Sequence, residues 1–334
     1  MTGSRLQTGR FRHRGHHRYN FTGIVIEPAR LLVEIFSSDI LPVFLVAAVG
    51  FLLARYARVD VRGLSRVSLH GLAPVLMFHL LITSHISGDT FGRVALLCLI
   101  VTTSMGALGS LAALLLRLDR QTRIGLLLVV MFSNGGNYGL PVALFAFGRE
   151  ALAYATVYFV TGGVLTYTVG VSLAASGRSS LRTALAGVAR IPAVYGVIAA
   201  GLVLSSGRTI PGPLMKAIEL LSDASLPVMM LVLGMQLERA AMPRRPSAVA
   251  AAAVLSLLIS PLLALGSAHL LGLTGPALQA SVVQASMPTA VVTTIIALEY
   301  DAEPAFVTSV VVATTALSPF TVTLLIAYLQ RVSG

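Results

Sequence analysis

Long apolar runs, broken at intervals by Arg, Asp, Gly and Pro, fill this chain from residue 38 onward. A hydrocarbon core about 30 Å thick takes ~20 apolar helical residues to cross, and the runs recur at that length. They predict helices at 38–56, 64–84, 92–116, 122–147 and 151–175, and again at 190–206, 213–236, 247–272, 277–298 and 304–329. Ten crossings with short loops make one all-α, polytopic membrane domain.

The two sets of five are related. Prolines recur at nearly one offset, with Pro42 and Pro192, Pro74 and Pro227, and Pro141 and Pro288 separated by 150, 153 and 147 residues. Each pair falls in the same ordinal span, and Leu72-Ala73-Pro74-Val75-Leu76-Met77 sits opposite Leu226-Pro227-Val228-Met229-Met230. A unit with an odd number of crossings enters the membrane in the opposite sense when repeated, so the predicted repeat is inverted, as in many secondary transporters. The expected organisation is a disordered basic tail over 1–36, a first repeat over 37–175, a Ser-Gly-Arg linker over 176–189 and a second repeat over 190–330. Pro42 and Pro192 fall near predicted span starts, where proline is tolerated. Pro74 and Pro227 read as kinks or packing positions.

Composition agrees with the pattern: 56% of residues are apolar and 11% charged, against roughly 25% charged in soluble domains. The net charge of +11 comes almost wholly from Arg flanking the apolar runs, which suits lipid headgroups and excludes a nucleic-acid module. Arg55, Arg58, Arg62, Arg66, Arg117, Arg120, Arg123, Arg178, Arg182, Arg190, Arg239, Arg244 and Arg245 fall in loops on one side. The other side has Arg93, Arg149, Arg208, Lys216 and Arg331. The positive-inside bias makes the first side cytoplasmic, in a cell inner (plasma) membrane with both termini outside. The tail, with Arg5, Arg10, Arg12, Arg14 and Arg18, runs against this. Either it is carried across despite its charge or translation starts nearer Val25 or Val33. His13, His16 and His17 imitate a metal cluster, but an Arg-rich tract repels a divalent cation. Cys98, alone in an apolar run, excludes an intramolecular disulfide, and Trp is absent from the interfacial belt. The apolar run after the tail is expected to stay as the first span, being too long for a cleaved signal peptide.

Candidate chemistry lies in two spans. The fourth contains Ser133-Asn134-Gly135-Gly136-Asn137-Tyr138-Gly139-Leu140-Pro141, and the ninth contains Gln284-Ala285-Ser286-Met287-Pro288-Thr289. Three glycines and a proline disfavour a regular helix in the first run. Each proline lacks an N–H and clashes with the carbonyl four residues back, which frees the carbonyls of Asn137 and Gln284. A broken span offers free carbonyls to cations and hydrogen-bond donors, and unpaired N–H groups with a positive dipole end to anions. Two breaks facing each other would make an anion-tolerant pocket deep in lipid.

At these residues the chain resembles the auxin efflux carrier family of permeases, whose bacterial members are linked to movement of small organic acids. Asn134 to Pro141 is similar to the family's Asn-rich, Gly-Leu-Pro break. Met287-Pro288-Thr289-Ala290, followed by Ala297-Leu298-Glu299-Tyr300, is similar to its second proline break and the tyrosine after it. Pro74 to His79, with Leu226-Pro227 and Leu233-Gly234-Met235, resembles its second and seventh spans. The resemblance implies ten spans in two inverted five-helix repeats with crossed, discontinuous helices 4 and 9. It also implies a scaffold domain, a transport domain that slides against it like an elevator, and outward termini. Plant members carry a long hydrophilic insertion between spans five and six, where this chain has a short linker, so auxin specificity does not transfer. By the same resemblance Asn134, Gly135, Asn137, Pro141, Gln284 and Pro288 would line the substrate site. Asn134 and Asn137 would donate amide N–H groups to a carboxylate, Gln284 and Ser286 would approach from the facing break, and Tyr138, Met287 and Thr289 would form walls.

No Asp or Glu sits at the centre of a predicted span, so carboxylate-based proton coupling is not evident. His79 is the candidate titratable residue, and Glu219 and Asp223 are read as lying toward the interface. The expected function is a secondary transporter for small organic anions such as carboxylates, with a sodium-coupled symporter of the bile-acid type as runner-up. A polytopic membrane enzyme is the alternative of another class. There is no His-Glu-x-x-His or Gly-x-Ser-x-Gly run, and Glu299, Asp301 and Glu303 read as a solvated loop. A sensor would need a soluble output domain. No cofactor and no metal are expected. The expected partners are the lipid bilayer and the organic anion, with a homodimer left open.

Overall fold

In the computed structural model, residues 29–84, 86–175, 186–187, 189, 191–238 and 245–332 are described. The predicted tail up to residue 28, most of the linker, and Arg178, Arg182, Arg190, Arg239 and Arg244 lie outside them. The described residues are helical throughout, with a single isolated β-bridge. We label the helices α1 (Ala29–Arg55), α2 (Val61–Thr83), α3 (Gly88–Leu115), α4 (Arg120–Met131), α5 (Gly135–Ala174), α6 (Pro192–Ser206), α7 (Gly212–Leu237) and α8 (Pro246–Leu270), followed by α9 (Gly275–Ala285), α10 (Val292–Glu299) and α11 (Pro304–Val332). Among the described residues, seven of these helices are long and apolar enough to cross a membrane. Their outward faces carry exposed Leu114, Leu115, Leu220 and Phe320, a liability in water and the expected surface in lipid.

The helix starts follow from capping chemistry. Asp60 accepts the N–H groups of Arg62 and Gly63 ahead of α2, Ser87 accepts that of Thr90 ahead of α3, and Asp119 accepts that of Thr122 ahead of α4. Hydrogen bonds from Thr122 and a side-chain bond from Arg245 hold the Asp119 carboxyl well below the usual carboxylate range. The start of α1 differs from expectation. It is already helical at Ala29, the first described residue, inside the stretch assigned to the tail, and Leu31, Leu32 and Ile35 pack against the core there. Pro42 therefore falls inside a helix and not near its start.

Four prolines share one accommodation. Immediately before Pro42, Pro74, Pro141 and Pro261, the N–H groups of Leu41, Ala73, Leu140 and Ser260 reach back five residues, to the carbonyls of Phe36, Ser68, Gly135 and Leu255. Widening the turn by one residue swings aside the carbonyl that the proline ring would strike. Pro227 and Pro319 lie inside helices without a wide turn among these. Helix α5 is interrupted once more at Gly148, whose φ of +81° suits a residue without a Cβ.

The packing sorts the helices into two groups. Helix α1 lies along α7, and α2 along α6 and α7, while α3, α4, α5, α8, α9, α10 and α11 pack chiefly on one another. Within the first group the approach is close enough that a Cβ on Gly234 would strike the Ala47 backbone and one on Gly50 the Leu231 backbone. A separate apolar cluster seals the boundary between the groups. It joins Leu76 and Met77 of α2 and Met229 of α7 to Leu140, Ala143 and Ala151 of α5.

Candidate functional site

The site starts from what the backbone cannot do in the fourth and ninth apolar runs. Helix α4 stops at Met131 and α5 starts at Gly135, with Phe132 extended at φ −121° and ψ 109°. Helix α9 stops at Ala285 and α10 starts at Val292. The break in the fourth run thus falls at residues 132–134, ahead of the glycine run, which itself forms the wide turn before Pro141. The two extended segments lie antiparallel, with Ser133 paired to Thr289. The Asn134 N–H donates to the Pro288 carbonyl at 2.7 Å, and the Ala290 N–H to the Phe132 carbonyl at 2.9 Å. In a hydrocarbon setting every such group needs a partner, and each interruption supplies the other's.

Side chains complete the repair. The Ser133 hydroxyl donates to the Gln284 carbonyl at 2.9 Å, Ser260 to the Ala285 carbonyl at 2.8 Å, and Thr289 to the Val129 carbonyl at 2.9 Å. The Gln284 carbonyl expected to be free for a cation is therefore occupied. Gln284 itself is fully buried, and its Nε2 donates to the carbonyls of Gly135 and Ala155, both at 3.3 Å. Glycine is required opposite it, since a Cβ on either Gly135 or Gly139 would come 2.5 Å from Gln284 Oε1.

Gln284 Oε1 is enclosed there without a partner among the described residues, and beside the breaks lies a cavity of about 260 Å³ at the boundary between the two helix groups. Asn134, Gly135, Gly136 and Asn137 line it from one break, and Ala290, Val291 and Val292 from the other. These residues lie at or just before the starts of α5 and α10, so two helix N-termini with positive dipole ends converge there. Asn134 is 5% exposed, and its amide nitrogen has no partner among the described residues. Asn137 donates to Gln236 of α7 at 3.3 Å. The rest of the wall is largely apolar and aromatic, with Phe132, Tyr158, Phe159 and Tyr167, and among the described residues the lining contains no Asp, Glu, Lys or Arg.

Of the residues expected to line a substrate site, Asn134, Gly135 and Asn137 line this cavity, and Tyr138, Pro141, Gln284, Ser286, Met287, Pro288 and Thr289 lie behind its lining. Tyr138 is fully buried, receives a hydrogen bond from Ser318 at 3.3 Å and meets the Phe44 ring edge-on. The Ser286 hydroxyl turns back to the Val283 carbonyl. Sequence reasoning missed Gln236, Thr102, Tyr158, Tyr167 and His70, all lining residues. Gln236 directly follows the Leu233-Gly234-Met235 run, and its amide at the end of an apolar span was the available signal.

His79 lies elsewhere. Its Nδ1 is 3.0 Å from the Ser222 hydroxyl, and it lines a second cavity of about 660 Å³ with Arg149, Glu150, Glu219 and Asp223. Arg149 stands 4.0 Å from Asp223 there. At the opposite, Arg-rich end Arg245 meets Asp119 at 2.6 Å and Glu303 at 3.6 Å, and Arg55 meets Glu238 at 3.3 Å. Among the described residues no group of three or more His, Cys, Asp or Glu could hold a metal ion.

Comparison with known proteins gives the context for this geometry. The sequence matches the family described as membrane transport protein over residues 35–185 and 175–326. An uncharacterized transporter from Methanothermobacter thermautotrophicus is 31% identical over 267 residues, covering 78% of this chain and 86% of its own length. An uncharacterized transporter from Methanocaldococcus jannaschii is 29% identical over 198 residues, covering 58% of this chain and 64% of its own. The chain is thus a multi-pass membrane transporter and not an enzyme, and it belongs to the membrane transport protein family, the auxin efflux carrier family.

Proposed function

We propose that this transporter is a secondary carrier for small organic anions, monocarboxylates above all, and that it binds them in the cavity between the two breaks. The observation that carries the reading is the convergence of two helix N-termini and the unpartnered Asn134 amide on a cavity without a carboxylate. A volume near 260 Å³ falls below the usual range for drug-sized ligands and suits a small metabolite. Asn134 and Asn137 are the anion donors. Gln284, Ser286, Met287, Pro288, Thr289, Tyr138 and Pro141 hold the breaks in shape.

The architecture we propose is ten crossings in two inverted repeats, 37–175 and 190–330. In it α4 with the first part of α5, and α9 with α10, form the broken fourth and ninth spans. Helices α1, α2, α6 and α7 form the scaffold. The remaining helices carry the site and slide along the Leu- and Ala-rich boundary in an elevator-like movement. The Arg-rich end is cytoplasmic in a cell inner membrane, with both termini outside. The sodium-coupled reading has less support, because the Gln284 carbonyl already receives the Ser133 hydroxyl.

Uptake of labelled acetate, lactate, benzoate and succinate into proteoliposomes, with and without pH and Na⁺ gradients, tests the reading. Specific flux of a carboxylate is expected, lost in Asn137→Ala while membrane insertion persists. Normal flux in that variant would refute the site assignment, and no flux of any carboxylate would refute the substrate class.

A further inference from the structure

Resting on that anion reading, we propose that His70 supplies, as imidazolium, the positive charge by which the cavity selects a carboxylate over its neutral analogues. Of the described side chains lining the cavity, His70 alone can carry a positive charge. The amides of Asn134, Asn137 and Gln236 can donate to a neutral carbonyl as well as to an anion, so they discriminate between the two less than a cation does. A charge-assisted hydrogen bond from a cation adds to the helix dipole ends and amides in repaying the dehydration of a full charge.

Geometry places His70 for this task. It lies on α2, exposed, beside the lining residues Ser65 and Leu69 and within the wide turn 67–72 that precedes Pro74. The turn packs against α6 and α7. Helix α6 offers no charged side chain, and its Tyr195 hydroxyl is held by the Ala189 carbonyl at 2.7 Å. Helix α7 brings Gln236 into the lining, and Glu238 just beyond it is paired with Arg55. On α2 itself Arg66 precedes His70 by one turn. On the other walls the titratable side chains are Cys98, Tyr158 and Tyr167, and Glu299, which acts electrostatically on Tyr167, is outside the lining. Among the described residues no carboxylate inside the cavity competes with a bound anion for the imidazolium.

The sign follows directly. Imidazole gains its charge as the solution becomes mildly acidic, so carboxylate affinity rises as pH falls. The test is equilibrium binding of labelled benzoate and lactate to the full chain in nanodiscs at about pH 8 and about pH 5.5. Both ligands stay largely ionised across this window, since carboxyl groups titrate near pH 4, so a change in affinity reports on the protein. Wild type is expected to bind one or both about five- to tenfold more tightly at the lower pH. His70→Gln should bind weakly at both values, and His70→Lys tightly at both. Competition by benzamide should not vary with pH. A pH preference retained in His70→Gln overturns the proposal, as does carboxylate binding by wild type that is equally tight at both values, and either result leaves the anion reading intact. No binding of any carboxylate overturns both.

Discussion

Asn137, at the start of α5, donates its amide N–H to Gln236 Oε1 of α7 at 3.3 Å, joining the broken-helix group to its neighbour across the cavity. In the sliding cycle proposed above this bond would be released at each passage. One neutral hydrogen bond is worth about 1 kcal/mol net, so Gln236→Ala is expected to change apparent carboxylate affinity by under about fivefold. Asn137→Ala, which removes the donor itself, should abolish uptake. Equal, complete loss in both variants of a proteoliposome assay would show that the pair as a unit is what transport requires.

The buried Gln284 carboxamide and the two glycines facing it form a second coupled unit. Gly139→Ala places a methyl 2.5 Å from Gln284 Oε1, in a site where the amide is already tied to two carbonyls. Overpacking of this kind costs typically about 1–3 kcal/mol. Gly139→Ala with Gln284→Ala should recover part of that loss, because the smaller side chain clears the space. A double-mutant cycle on apparent melting temperature in detergent reads the coupling, and strictly additive effects would count against it.

Close backbone approach makes a sharper contrast. A Cβ on Gly234 meets the backbone of Ala47, which cannot give way as a flexible side chain can, whereas nothing lies within 4 Å of a Cβ on Gly201. Gly234→Ala is expected to lower the yield of monodisperse protein severely. Gly201→Ala, on an exposed face of α6, should be neutral or stabilise by up to about 1 kcal/mol. Size-exclusion profiles of the two variants, side by side, decide the matter.

Asp119 gives a pH prediction outside the membrane. Its carboxyl is held low by the Thr122 hydrogen bonds and Arg245, so it stabilises the fold fully above the unfolded value of about 3.9. That contribution is lost progressively as the pH falls below it. Asp119→Asn should therefore lower the apparent melting temperature at neutral pH and flatten its decline in acid. Arg245→Ala should do less, since exposed pairs contribute at most about 1 kcal/mol. An acid decline that is identical in wild type and Asp119→Asn would exclude this carboxylate as a source.

Most helix positions were legible in the sequence because hydrocarbon thickness fixes their length and Arg, Gly and Pro mark their ends. α3 spans Gly88–Leu115 where the apolar run predicts 92–116, and α7 spans Gly212–Leu237 where it predicts 213–236. The existence of both interruptions was legible for a similar reason, since Pro141 and Pro288 cannot sit unnoticed in a helix. Their detail was not. Pro141 is absorbed by the widened turn over Gly135–Gly139, and the chain opens instead at 132–134, where the facing segment around Pro288 supplies a carbonyl to the Asn134 N–H and donates the Ala290 N–H to Phe132 in return. That partner is 154 residues away in the sequence. For the same reason Gln284 and Ser286 could not be recognised as inward-turned, because their hydrogen bonds are set by packing and not by residue type. His70 and Gln236 reach the cavity only through the way α2, α6 and α7 pack on α5.

Each turn widened ahead of a proline inserts one residue beyond the α-helical count, and one residue is about 100° of rotation about the axis. Azimuth is consequently not continuous along α1, α2, α5 or α8: the stripe facing the interior before the turn and the stripe facing it afterwards do not lie on one line. Excising a single residue between Gly135 and Gly139 would swing the body of α5 round by that angle, carrying Leu140 and Ala143 off their present seat, although every remaining side chain would be unchanged.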